Sequence, residues 1–591
     1  MAALVTVVSA LMVAAAPGGG PADDVGADVA AYTARVAAGQ VPSLLRAGVD
    51  AGEVAGLPGA VELDLTAKQA ARLAGEGIAL TPRPAPRRRS AALGGGVFRP
   101  YGGSGGLKAE VVATAAAHPG LARTEVIGRT VLGQEILALR VGKAGNPAVL
   151  YLGGQHAREW ITPETVRRLM HHYVDGYGSD PEATRIVNAT ELWFVICANP
   201  DGYDYSFTPG HRLWRKNIQG VDLNRNFGYK WAYDNQGSSS DPGAETYRGP
   251  AAMSEPETRA LDDLERRMHF RYAVNYHSAA QLLLYGIGWQ VATPSPDDVL
   301  ARALAGTPGH SAIPGYRPVL SSALYVTNGD ADGHAANMHG TLMLSPEMST
   351  CETATAASTA GSWWPEDCAS VFAFPDDEQL IRREFEKNVP FALSVASSAA
   401  DPGRPAVADF TPDAFTVSYD DAGAQQVAVT ARRSVPDKRV NWRIGGGAEH
   451  SAPVEAWRGG VTYGGTDHTY FDEYRGTVAG ARPGDTVSVW FTGGGAASTP
   501  FMYAVAPRPA GDALVLPVPG GTPHPLGVLS HFRQVTYPAD AGLPDRPTLL
   551  ALRDYVNEGG RLLLDGTMVQ DSELSGAAGV AVLNRLAGAA R

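Results

Sequence analysis

The sequence predicts an α/β fold, with a mixed, largely parallel sheet flanked by helices over residues 97–400. A small N-terminal segment precedes it, and a β-sandwich (401–507) and a small α/β unit (508–591) follow. Three observations carry this expectation. Apolar runs of strand length alternate with helical patterns throughout 97–400, as βα units require. The stretches "TPRPAPRRRSAALGGG" and "DPGRPAV" break the chain on either side of that region. Finally, 591 residues exceed one core, and roughly 150 residues per domain suggests three to five units.

Composition narrows the class. A hydrophobic content of 44% is that of a soluble globular protein. A formal charge of −12 argues against a nucleic-acid partner, which needs a basic face. Three cysteines are too few for a disulfide scaffold or a cysteine-based zinc cluster. Cys351 and Cys368 are near enough to close a short loop, a bridge worth roughly 3 kcal/mol in an oxidising compartment. Cys197, inside "ELWFVICANP", reads as a small buried hydrophobe.

Taken in order, residues 1–17 form an apolar run ending in small residues. It is short for a membrane span and reads as a secretory signal, although it lacks a basic start. No later run is long enough to span, so export without a membrane anchor is expected. Residues 18–92 read as a pro-segment and linker. "VAAYTARVAAGQVPSLLRAG" has helical period, "GAVELDL" is a strand, and "TAKQAARLAGEG" is a helix with a Thr N-cap. Arg87, Arg88 and Arg89 then lie either in a solvated linker or at a processing site for an activating protease.

Within 97–400, "EVIGRT" and "EILALRVG" form a hairpin and "PAVLYLGG" a buried strand. "TPETVRRLMHHYVDGYG" is a helix that Thr162 is expected to cap, with Pro163 in its first turn. "ELWFVICANP", "RYAVNYHS" and "HGTLMLSPEM" are further strands, and "EPETRALDDLERRM" and "DEQLIRREFEKNVPFALSVASS" are helices. Beyond them, "AFTVSY", "QVAVTARR" and "TVSVWFTG" suit a sandwich. "DALVLPV", the amphipathic "PTLLALRDYVNEGG" and "RLLLDG" give strand–helix–strand.

The chemistry gathers at strand ends. His156 and Glu159 follow a strand directly and precede a helix, where open α/β sheets build their ligand sites. Imidazole and carboxylate are both good zinc ligands, and a catalytic zinc needs a third ligand plus an open position. His277, ending another apolar strand, is the candidate third. Alone, His-x-x-Glu is a weak signal that chance or helix capping readily produces.

Its neighbours sharpen it. "HAREW", "NPDGYDYS", "HRLWRKN", "DLNRNFG" and "NYHSAAQLLLY", in this order, resemble the zinc metallocarboxypeptidases, the family of the pancreatic A- and B-type enzymes. The resemblance covers roughly Tyr101 to Ser398. It implies one Zn2+ per chain held by His156, Glu159 and His277, with Asp222 fixing the tautomer of a ligand imidazole. Glu347 matches the general base and acid, and Arg215 matches the donor to the oxyanion. Asn224 and Arg225 match the clamp on a terminal carboxylate, where a planar guanidinium fork meets a carboxylate bidentately. Tyr325 matches the mobile tyrosine over the bound terminus. Arg158 matches a secondary substrate contact, with a surface ion pair as the alternative.

The implied act is removal of single residues from the C-termini of peptides and proteins by a secreted, monomeric enzyme. Asp332 falls where B-type enzymes carry Asp, which suits a Lys or Arg side chain. Gly333 and His334 depart from the family pattern there, so Asp330 or a solvated loop acid remains an alternative. Ala279 replaces a family tyrosine and widens a subsite, so mixed basic and hydrophobic preference is expected. A cell-wall peptide carboxypeptidase and a non-catalytic binder that keeps the fold are the competing readings. Retention of His156, Glu159, His277 and Glu347 disfavours the last.

Overall fold

The run "AVLYL" at Ala148–Leu152 is apolar at every position, so neither of its faces tolerates water, and it lies in the middle of a nine-stranded sheet. A computed structural model describes residues 30–37, 59–83, 96–356, 363–401, 403–457, 470–517, 522–564 and 566–569, with single positions between 40 and 49. The expected signal at 1–17 and the Arg87–Arg89 linker with its processing site lie outside the described residues. Among the described residues no helix is long and apolar enough to cross a membrane.

The N-terminal segment pairs β1 (Ala30–Val36) with β2 (Gly59–Leu65) and β3 (Leu80–Pro82), all antiparallel, with α1 (Ala67–Gly75) between the last two. The helix expected around "VAAYTARVAA" is therefore a strand. Ala34 and Val36 alternate inward onto Leu63 and Leu65, and this packing outweighs the helix preference of the alanines. Thr66 caps α1 as expected, in a reciprocal pair with Gln69.

The large sheet is built from β4 (Ala122–Arg129), β5 (Glu135–Gly142), β6 (Ala148–Leu152), β7 (Glu191–Val195), β8 (Tyr272–Asn275), β9 (Leu282–Tyr285), β10 (Arg317–Leu320) and β11 (Leu342–Met348). A short strand, His277–Ser278, joins β11 at its side. The order is β10-β9-β11-β8-β6-β7-β5-β4. The central four, β11, β8, β6 and β7, are parallel, while the β4–β5 hairpin runs antiparallel at one edge. Alternate side chains feed two cores. Val149 and Tyr151 pack with α2 (Ile161–Gly176) and α4 (Glu378–Ala400), whereas Leu150 and Leu152 meet α3 (Pro256–Met268). This is the mixed α/β sheet flanked by helices that the alternating pattern predicts. Thr162 does not cap α2. It sits inside the first turn, where its hydroxyl donates to Glu159 O and accepts the Gly154 N–H.

Cys351 and Cys368 form a disulfide, and Cys197 is buried with its thiol pushed up by desolvation. The described residues between 410 and 506 make two facing sheets around one apolar core. Beyond them three parallel strands and α5 (Arg546–Asn557) give the strand–helix–strand expected. The join to the large sheet combines apolar packing of Phe471 and Val407 with hydrogen bonds. Asp297 accepts the Tyr470 and Phe471 N–H groups at 2.9 and 2.8 Å, and Tyr470 donates its hydroxyl to Arg271 O at 2.8 Å.

Candidate metal centre and active site

Three adjacent parallel strands, β6, β8 and β11, deliver the site from their carboxyl ends, where such sheets build ligand sites. β6 runs into Gly153 and Gly154. Gly154 has φ +62°, and a Cβ there would meet Cys197 Sγ at 2.9 Å; one on Gly153 would meet Thr162 O at 2.9 Å. Only glycines let the chain turn this tightly, and the turn aims His156 and Glu159 back over the sheet. β8 leads to His277, which lies in parallel register with Glu347 on β11.

His156 Nδ1, a Glu159 carboxylate oxygen and His277 Nδ1 converge. Nδ1 of His156 is 2.8 Å from Glu159 Oε1 and 3.1 Å from His277 Nδ1, and His277 Nδ1 is 3.3 Å from Glu159 Oε2. On its other side the His156 ring meets Asp222 Oδ1 at 3.2 Å through Nε2. Burial alone would raise the Asp222 carboxyl, but Arg215, Arg225 and His156 hold it well below the usual range. An ionised Asp222 accepts a hydrogen bond from the His156 Nε2–H, which leaves Nδ1 able to present a lone pair to a cation. Burial would likewise raise Glu159, yet the two imidazoles hold it at about 2. Desolvation keeps His277 below the ordinary histidine range. Burial and Arg215 would lower His156, yet Glu159 and Asp222 raise it above the ordinary histidine range, so without an ion a proton is shared among these atoms. With both Nδ1 atoms deprotonated, three acceptors would face one another in a buried space, an arrangement that a cation relieves. Two imidazole nitrogens and one carboxylate are a donor set that zinc takes, with a coordination position left over.

Arg215 donates from Nε and Nη2 to Asp222 Oδ2 at 3.2 and 2.9 Å. Asp222 also accepts the Asn224 N–H at 2.9 Å, which fixes the tight turn Leu223–Arg225. Arg225 is buried; it donates to Asn224 O at 2.6 Å and to the Tyr325 hydroxyl. Its Nε is buried without an acceptor among the described residues. The Asn224 carbonyl side-chain oxygen accepts the Ala331 N–H at 2.8 Å. Arg158 is 2% exposed rather than on the surface, its guanidinium 3.8 Å from the centre of the Phe372 ring and 3.5 Å from Glu245. Asp332 accepts a hydrogen bond from Ser345 at 2.6 Å, two residues before Glu347 on the same strand. Burial, then the neighbouring Asp330, push the Asp332 acid up to about 7.

Sequence reasoning missed several contacts. Arg212, quoted within "HRLWRKN" but given no role, donates to Arg158 O at 2.6 Å. Asp64, on β2, accepts a hydrogen bond from Ser370 and feels the charge of Arg158. Leu324 and Tyr325 pack against the core of the N-terminal segment. Each of these depends on tertiary placement, for which a local pattern gives no signal.

A second cluster, Asp262, His334 and His339, also brings three donors together, each histidine Nε2 lying 2.7 Å from Asp262 Oδ1. It is satisfied without an ion. His334 Nδ1 accepts the Tyr229 N–H, so its Nε2 carries the proton and donates to Asp262, leaving no lone pair for a metal.

Replacing Asp222 by Asn removes the charge that fixes the His156 tautomer. Zinc affinity, measured by competition with a chromogenic chelator, is expected to fall roughly 10–100-fold. An unchanged affinity would show that Asp222 does not orient the ligand.

The comparisons agree with this geometry. A family model for zinc carboxypeptidase matches residues 107–378. Over 242 residues the chain is 32% identical to carboxypeptidase B of Astacus astacus, an alignment covering 38% of this chain and 77% of that one. It is 34% identical over 185 residues to the inactive metallocarboxypeptidase ECM14 of Arthroderma otae, of which it spans only 31%, with 27% of this chain covered. The crystal structure of a carboxypeptidase A from Helicoverpa armigera shares the fold, with a TM-score of 0.50 at 19% identity, covering 64% of this chain and 99% of that one. The chain belongs to the zinc carboxypeptidase family.

Proposed function

We propose that the protein is an exported zinc-dependent metallocarboxypeptidase, made with a covering N-terminal segment, that removes single residues from the C-termini of peptides and proteins. The observation that carries this reading is the pairing of two features joined through Asp222. One is the acceptor trio His156, Glu159 and His277. The other is the buried Arg225, whose Nε lacks an acceptor among the described residues, beside Tyr325. The first suits one zinc ion per chain, and the second suits a carboxylate. Only a chain end offers a free α-carboxylate beside the bond to be cut.

Zinc at this trio would supply polarisation of the scissile carbonyl and a water of lowered pKa. The residues of the chain do the rest. Arg225 takes the terminal carboxylate through its fork, Asn224 adds its amide, and Tyr325 closes over them. Glu347, in register with His277, takes a proton from the attacking water and hands it to the leaving amine nitrogen. Arg215 swings a guanidinium N–H toward the carbonyl oxygen as its negative charge develops. Arg158 contacts the peptide upstream of the cut.

The N-terminal segment supports a zymogen reading. Asp64 sits in the field of Arg158, Tyr325 packs on the segment's core, and Arg83 approaches Glu352 at 3.7 Å. A peptide in the cleft would compete for the same arginine and tyrosine, so an activating protease acting in the Arg87–Arg89 linker would release the site. The apolar start of the chain and the Cys351–Cys368 disulfide support export.

The test uses peptides ending in Lys, Arg, Phe, Leu or an amide, before and after mild trypsin treatment, with and without a zinc chelator. Release is expected from free termini alone, after trypsin, abolished by the chelator and restored by zinc. Glu347→Gln is expected to lower kcat by about 10²–10⁴-fold with zinc content unchanged. Release from amides, or none from any peptide despite bound zinc, would overturn the reading.

Specificity supplies a pH dependence. Asp332, an acid pushed up to about 7, faces the acids Asp330 and Glu265. It is neutral below that pH and gains its charge above it. The ratio of kcat/KM for C-terminal Lys over Leu is therefore expected to rise with pH through about 7 and then level. Asp332→Asn should flatten that ratio. A wild-type ratio that does not change with pH would remove Asp332 from the pocket.

A further inference from the structure

The C-terminal helix α5 connects to the loop that carries Tyr325 through hydrogen bonds on both ends of the segment 287–291. Arg553 and Asn557 on α5 are buried, although both are polar. Arg553 donates from Nη1 to Val291 O, and Asn557 donates from Nδ2 to Gln290 Oε1 at 3.0 Å. Gln290 is itself fully buried and also accepts from Thr293 at 3.0 Å. These residues belong to the segment leaving β9.

The next links lie three and two residues before Gln290. Ile287 O accepts the Ser322 N–H at 3.3 Å, and Gly288 O accepts the Thr327 N–H at 3.0 Å. Ser322 and Thr327 flank Tyr325 on both sides. A Cβ on Gly288 would meet Thr327 Oγ1 at 2.3 Å, so the two segments touch backbone to side chain. Thr327 Oγ1 continues the path to Asp330 at 2.8 Å, and Asp330 caps the turn that holds Asp332. Between these links Trp289 is wedged under Lys230, 3.9 Å from its ring, and against Tyr233.

We propose that Arg553 and Asn557 are positioning residues: the C-terminal unit braces the segment 286–291 and thereby sets the loop that presents Tyr325 and Asp332 to the substrate terminus. The physical case rests on desolvation. An amide and a guanidinium buried this far must keep their acceptors, since an orphaned buried polar group is costly to stability. Truncating either removes a donor and leaves the single Thr293 hydroxyl to serve both Gln290 Oε1 and Val291 O, which loosens the segment that holds Ser322 and Thr327. The consequence for catalysis rests on the carboxypeptidase reading. A shift of about 1 Å in a positioning group can cost about 10²-fold in rate.

The test combines hydrogen exchange with kinetics on the full chain for Asn557→Ala, Gln290→Ala and the double variant. Exchange at the Ser322 and Thr327 amides is expected to quicken, with the amides of the strand Arg439–Ile444 unchanged. KM for a free-terminus peptide should rise more than kcat falls, and the double variant should be no worse than the worse single one. If Asn557→Ala does not fold, Arg553→Lys keeps a cation and a donor and should quicken the same two amides to a smaller degree. Unchanged exchange at 322 and 327, or equal quickening across the sandwich, would overturn the brace. Quickened exchange in a protein that releases nothing from any peptide would support the brace and overturn the carboxypeptidase reading.

Discussion

Everything at the strand ends depends on Asp222. Its carboxylate is fully buried, and a buried charge survives only when paired on every side. Here it binds the His156 ring with one oxygen and the Arg215 fork with the other, while the Asn224 N–H adds a third contact. That one ion orients the proposed metal ligand His156, parks the guanidinium proposed for the oxyanion, and sets the turn from which Arg225 projects. Glu159 and the two Nδ1 atoms face one another, and the proton shared among them is one that a cation can replace. The second cluster, at Asp262, closes its hydrogen bonds without one. Donor arrangement, and not the mere gathering of histidines and acids, separates the two.

The flanking units act on one loop from two directions. The N-terminal segment packs Leu324 and Tyr325 against its own core, and the C-terminal helix secures the backbone beneath the same loop through Gln290 and Val291. The loop proposed to close over a chain end has to move, and mobility comes from the weakly secured part of a fold. Holding its base while leaving Tyr325 to be covered or uncovered reconciles precision with motion. The extra domains then bear on the same chemistry as the sheet, although none of them supplies a reacting group.

Much of this was legible in the sequence, and the reasons are physical. His156, His277 and Glu347 each end or extend an apolar strand, so their convergence follows from parallel strands sharing a carboxyl edge. The Gly153–Gly154 pair announces the tight turn that aims the first of them. The N-terminal strand was illegible because "AAYTARVAA" fits a helix locally, and only pairing with Gly59–Leu65 decides otherwise. Thr162 reads as a cap by residue type, but its hydroxyl is already committed to Gly154 and Glu159. "PTLLALRDYVNEGG" shows its amphipathic period plainly. That Arg553 and Asn557 would be buried against Val291 and Gln290 depends on a partner some 260 residues away, which periodicity does not encode.

The most direct test of the central claim is an anomalous difference map, collected at the zinc absorption edge from crystals of the full chain grown with zinc. The account predicts one strong peak within bonding reach of His156 Nδ1, the Glu159 carboxylate and His277 Nδ1, and none at Asp262, His334 and His339. A peak at the second cluster alone, or an empty first site in the presence of zinc, would contradict it.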